Sequence, residues 1–78
     1  MEEIIGTIHL QLSNVGSKSE GVYAHLVLDS GDDYILYQSG HLAMDDAYFK
    51  AFDGLQVKVT GEIEPEMNYI RIKDIQTL

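Results

Sequence analysis

The sequence predicts a small all-β domain of five strands, with one short helix between the third and the fourth. Two observations predict it. Short segments punctuated by glycine and other turn residues carry apolar residues at every second position, the period of a half-buried strand. One segment, 45–52, breaks that period with apolar residues at i, i+1 and i+4. Length sets the scale. A chain of 78 residues and 8.7 kDa is one domain, since each half would be too small to hold a core. Area scaling gives a folded surface of roughly 4,700 Å² against about 12,600 Å² unfolded, so about 62% is buried.

The first strand runs from Ile4 to Leu12. Ile4, Ile8, Leu10 and Leu12 share one parity, and Thr7, His9 and Gln11 take the other. Gly6 falls on the buried parity, where a glycine marks a bulge or sharp bend. Ser13 to Gly21 is polar and reads as a loop. The second strand, Val22 to Leu28, turns Val22, Ala24, Leu26 and Leu28 one way and Tyr23, His25 and Val27 the other. Asp29-Ser30-Gly31-Asp32-Asp33 is a hairpin turn, and a short third strand follows at Tyr34 to Gln38.

Residues Asp45 to Phe52 form the helix, about two turns long by the helical repeat. Its apolar face is Tyr48, Phe49 and Phe52, Asp45 or Asp46 caps its start, and Gly54 ends it. Leu55 to Ile63 is the fourth strand, with Leu55, Val57, Val59 and Ile63 alternating with polar residues and Gly61 on the buried parity. Pro65 sits in the turn that follows, since it has no N–H to give a ladder. The last strand, Tyr69 to Ile75, turns Ile70 and Ile72 inward and Arg71 and Lys73 outward. Ile75 breaks the alternation, which predicts a bulge near Asp74.

Strand, strand, strand, helix, strand, strand is the order of a five-stranded Greek-key barrel of the OB-fold type. The stretch Gly54-Leu55-Gln56-Val57-Lys58-Val59-Thr60-Gly61-Glu62-Ile63, a turn, and Tyr69-Ile70-Arg71-Ile72 resembles the last two strands of small bacterial OB-fold domains. With the upstream hairpin, the resemblance covers essentially the whole chain. It implies a fold and a usual binding face on the second and third strands. It implies no catalytic residue, because the fold hosts unrelated binding functions.

Charge narrows the partners. Five basic residues against 13 acidic ones leave a net charge of −8. Nucleic-acid binding rests on phosphate contacts and normally shows a basic footprint, so this chain disfavours it. The same field attracts a basic protein partner. The chain has no apolar run near the ~18 residues of a membrane span, and its start, Met1-Glu2-Glu3, lacks the basic region of a secretory signal. A cytoplasmic protein without membrane contact is expected. With no cysteine there is neither a disulfide nor a Cys-ligated metal.

The parities also select a candidate surface. A three-residue loop, Ser30 to Asp32, pairs Leu28 with Tyr34, Val27 with Ile35 and His25 with Tyr37. In the first hairpin, matched apolar parities set Leu12 opposite Val22, Leu10 opposite Ala24 and His9 opposite His25. One exposed face then carries His9, Tyr23, His25, Val27, Ile35 and Tyr37. Such rings can stack on bases or sugars, or anchor a protein partner. Asp29, Asp32, Asp33 and Glu20 flank the face and repel phosphate. Arg71 is expected to pair with Glu62.

Other chemistry has weaker support. His41 near Asp45 and Asp46 suits a helix cap better than a metal site, and the Asp29/Asp32/Asp33 group suits a turn. His9 and His25 lack a third zinc ligand. The chain has no Gly-rich phosphate loop and no nucleophile elbow. The expectation is a non-enzymatic binding or adaptor module without a cofactor, a monomer or homodimer, favouring a protein partner. Single-stranded nucleic acid and an oligosaccharide or small ligand are the alternatives.

Overall fold

The computed structural model describes every residue, Met1 to Leu78. Five strands form one sheet: β1 (Glu2–Ser13), β2 (Gly21–Val27), β3 (Asp33–Gln38), β4 (Gln56–Glu64) and β5 (Tyr69–Thr77). A single 3-10 helix, Ala47–Phe52, lies between β3 and β4. The strands close in a ring in the order β1-β2-β3-β5-β4, with β4 returning to β1. Every pairing is antiparallel except β3 with β5, which run parallel.

The ring closes because β1 serves two neighbours. Its first half, Glu2 to Thr7, pairs with β4, and its second half, Thr7 to Ser13, pairs with β2. The strand must bend between them, and Gly6 sits there. A Cβ at Gly6 would lie 2.7 Å from the Val27 carbonyl oxygen and 3.0 Å from Leu26 Cγ. Gly61 has the same role on β4, where a Cβ would strike the Arg71 carbonyl oxygen. Beside it the register jumps: Thr60 faces Asp74 but Gly61 faces Ile72. The extra residue, Lys73, is the bulge expected near Asp74, and it returns Ile75 to the interior.

Most inward-parity residues fill the ring as the alternation predicts, but Leu12, Val22 and Leu55, at strand ends, are exposed. Ile8, Leu26, Leu36, Val57, Val59 and Ile70 are fully buried. Phe49, from the helix, is 1% exposed and closes one end of the ring. The folded surface is 4860 Å², close to the scaling expectation. No helix is long and apolar enough to cross a membrane.

Three expectations are corrected. The helix is of the 3-10 type and begins at Ala47, with Asp46 as its cap accepting from the Tyr48 N–H at 3.0 Å. Asp45 lies outside it at φ 57°. The β2–β3 register is two residues from the expected one: Val27 faces Asp33, Leu26 faces Tyr34 and His25 faces Ile35, not Tyr37. The hairpin loop does have three residues, but they are Asp29, Ser30 and Gly31, closed by Leu28 N–H to Asp32 O and Gly31 N–H to Leu28 O, each 2.9 Å. A three-residue loop ends on a left-handed residue, and Gly31, at φ 94°, takes that place. The expected loop would have put Asp32 there. Finally, Arg71 and Glu62 are register neighbours but form no ion pair, since Glu62 lies 3.9 Å from the Met1 amine.

Candidate functional site

The first hairpin has the expected register: Leu12 opposite Val22, Leu10 opposite Ala24, His9 opposite His25. Extending it around the ring gives an outward-facing row that crosses five strands. His9 on β1 faces His25 on β2, His25 faces Ile35 on β3, Ile35 faces Tyr69 on β5, and Tyr69 faces Glu64 on β4. A second row runs beside it, from Tyr37 to Arg71 to Glu62. Val27 stands next to His25 on the same face of β2. His25, Val27, Ile35, Tyr37 and Tyr69 are half-buried and His9 is exposed.

Polar bonds hold the two central rings. The His25 Nδ1 lies 2.8 Å from Asp33 Oδ1. A carboxylate only accepts, so Nδ1 carries the proton. The other nitrogen, Nε2, is then free to take the Ser13 hydroxyl at 3.5 Å in the neutral ring. The Tyr37 hydroxyl lies 2.8 Å from both Glu64 carboxylate oxygens and gives its one proton to that carboxylate, and its ring meets Tyr69 edge-on with centroids 5.8 Å apart. Partial burial, and then the hydrogen bond and negative charge of Glu64, push the Tyr37 phenol above its ordinary value, while Arg71 pulls the other way.

Tyr23 is the exception among the expected face residues. Its side chain has outward parity, yet it is only 3% exposed. The β1–β2 loop folds over it: Tyr23 donates its hydroxyl proton to the Ser19 carbonyl at 2.5 Å and accepts from Asn14 Nδ2 at 3.2 Å. Parity assigns a side of the sheet and says nothing of what covers that side. Tyr23 is therefore a pin for the loop. The β2–β3 register also moves Tyr37 away from His25, so the two rings flank Ile35 instead of facing each other.

Sequence reasoning missed Tyr69. It begins β5, whose neighbour on one side is β3, and the alternation within β5 names no neighbour. The parallel β3–β5 pairing beside Ile35 brings it onto the face.

Charge around the face is mixed. Asp33 and Glu64 stand at its edges, while Arg71 and Lys73 project from β5 with no carboxylate within ion-pair range. No group of three or more His, Asp or Glu is placed to hold a metal ion. His41 lies 3.9 Å from Asp46, which is occupied as the helix cap. No protein-family model, curated protein or solved structure matches the chain.

Proposed function

We propose that the chain is a cytoplasmic OB-fold module that binds a basic protein partner through the outer face of β1, β2 and β3, without catalysis. The observation that carries this reading is the unbroken row His9–His25–Ile35–Tyr69, with Tyr37 beside it. Its centre, His25 and Ile35, lies on the second and third strands, through which OB-folds bind their ligands, and Tyr69 extends it onto β5. Half-buried aromatic and aliphatic side chains with polar ends are the residue types that anchor protein interfaces. Asp33 and Glu64 supply an acidic border, and the net charge of −8 attracts cationic partners over a longer range.

A second reading, single-stranded nucleic acid, is favoured by one observation. Arg71 lacks a carboxylate partner and is the register neighbour of Tyr37 in the Tyr37–Tyr69 pair, a combination of cation and stacking ring that such ligands use. One experiment separates the two. Amide NMR is recorded during titration with a lysine-rich peptide carrying one tryptophan, and separately with mixed-sequence single-stranded DNA and RNA at low salt. The proposal expects the peptide to shift His25, Ile35, Tyr37 and Tyr69. Nucleic-acid shifts at those amides that fade as salt rises, with none from the peptide, would establish the second reading instead.

A further inference from the structure

The β1–β2 hairpin outruns the core that covers it. Leu10, Leu12, Val22 and Ala24 all have inward parity and pair across the hairpin, Leu12 with Val22 and Leu10 with Ala24. Ala24 is buried, but Leu12 is 55% exposed and Val22 is 38% exposed. Phe49 reaches the interior, and beside Val22 stand the polar Asp45, Asp46 and Lys50, so the Leu12–Val22 pair stays partly open to solvent. Val15, at the start of the following loop, is 73% exposed.

Between hairpin and helix lies a groove of about 180 Å³, lined by Leu10, Val22, Ala24, Asp45, Asp46 and Lys50. An apolar cavity of about 150 Å³ accommodates a benzene ring, so this groove takes one large apolar side chain. Its border is acidic. Asp45 and Asp46 line it, and Asp53 reaches the Leu10 N–H at 3.1 Å, against the single ammonium of Lys50. These carboxylates each bond one or two protein donors and keep lone pairs for more.

We propose that this groove, together with Leu12, the cross-strand partner of its lining residue Val22, is a second docking surface, for a segment of a basic partner protein that inserts one large apolar side chain between flanking Lys or Arg residues. The apolar floor accounts for the anchor and the carboxylate border for the flanking charges. The site is separate from the outer face, because its residues point to the opposite side of the hairpin. A second copy of this chain is a poor occupant, since the same acidic border would meet itself across the contact.

The probe is a short peptide with one leucine between lysines, followed by amide NMR of the whole chain. The proposal expects shifts at Leu10, Leu12, Val22 and Ala24. It expects none from the copy with glutamates in place of the lysines, and none from the copy with serine in place of leucine. Leu12→Ser should weaken binding about tenfold while leaving the spectrum dispersed, because Leu12 is already more than half exposed. Val22→Thr, which keeps the branched shape, should weaken it as well and serves if Leu12→Ser fails to fold. No shifts at these amides, or equal shifts from the serine copy, would overturn the proposal. So would a dimer in sedimentation analysis that Leu12→Ser dissociates. Shifts confined to His25, Ile35 and Tyr37 would also overturn it, while leaving the outer face as the binding surface.

Discussion

Asp45 acts as a one-residue strand against Val22. Its carboxylate accepts the Val22 N–H at 2.8 Å, and its own N–H donates to the Val22 carbonyl at 2.7 Å. β3 pairs with β2 only from Ala24 onward, so these groups of β2 would otherwise have no protein partner. Asp45 reaches them from a left-handed backbone, φ 57°, which Asp and Asn tolerate better than other side chains. Asp45→Ala loses the acceptor and strains the backbone, and should cost about 1–2 kcal/mol. Asp45→Asn keeps both features and should cost less than about 1 kcal/mol. Urea unfolding of the pair measures the difference.

Gly6 and Gly61, buried against backbone carbonyls, should be intolerant of any side chain. Gly6→Ala and Gly61→Ala each drive a methyl into a backbone carbonyl that cannot rotate away. Each should cost more than about 2 kcal/mol, or a melting temperature lower by more than about 8 °C for a domain of this size. Gly16 has open space around it and a φ of 84°, so Gly16→Ala carries only backbone strain. That should cost about 1 kcal/mol. Thermal melts should rank Gly16→Ala well above the other two variants.

Phe49 should be the most sensitive core position. It is the largest fully buried side chain and the helix contributes no other buried residue. Phe49→Ala should cost about 3–5 kcal/mol. Set against a total of roughly 5–15 kcal/mol for a small domain, that removes about a third or more of the stability of all but the most stable such domains. Amide dispersion and a urea midpoint would show it.

Tyr23 should behave as a structural residue and not as a ligand contact. Tyr23→Phe keeps the buried ring and removes the bonds to Ser19 and Asn14, at about 0.5–1.5 kcal/mol. Hydrogen exchange should then quicken in the loop 14–20 and stay unchanged in β4. Tyr23→Ala should cost about 3–5 kcal/mol, as for other large buried aromatics.

Tyr37 should be a late-titrating tyrosine. Its raised phenol pKa means that the folded chain holds this proton more tightly than the unfolded chain does. The resulting stability is fully present below the ordinary tyrosine value of about 10 and is lost as pH rises through the higher folded value. Ultraviolet titration of tyrosinate should lose its latest component in Tyr37→Phe. Glu64→Gln, which removes the neighbouring negative charge, should bring the Tyr37 step to lower pH without eliminating it, because partial burial remains.

What the chain itself determines is which residues point inward and which outward within each strand. Alternation at period two is a local property, so Ile8, Leu26, Val57 and Ile70 are assigned to the interior from sequence, and the outward parity of His9, His25, Ile35 and Tyr37 follows. In the first hairpin the matched apolar parities exclude a one-residue slip, and the register read from them, Leu10 with Ala24, is the one the structure has. A slip of two residues preserves parity, however. The β2–β3 register turned on which residue takes the left-handed place in the loop, and Gly31 takes it. Tertiary structure alone decided the rest. The parallel β3–β5 pairing brings Tyr69 beside Ile35, the loop covers Tyr23, and Asp45 leaves the helix to finish β2. Each joins residues whose local patterns carry no mark of their partner. The Leu12–Val22 pair shows the limit most plainly: its parity says inward, and the folded chain leaves it exposed.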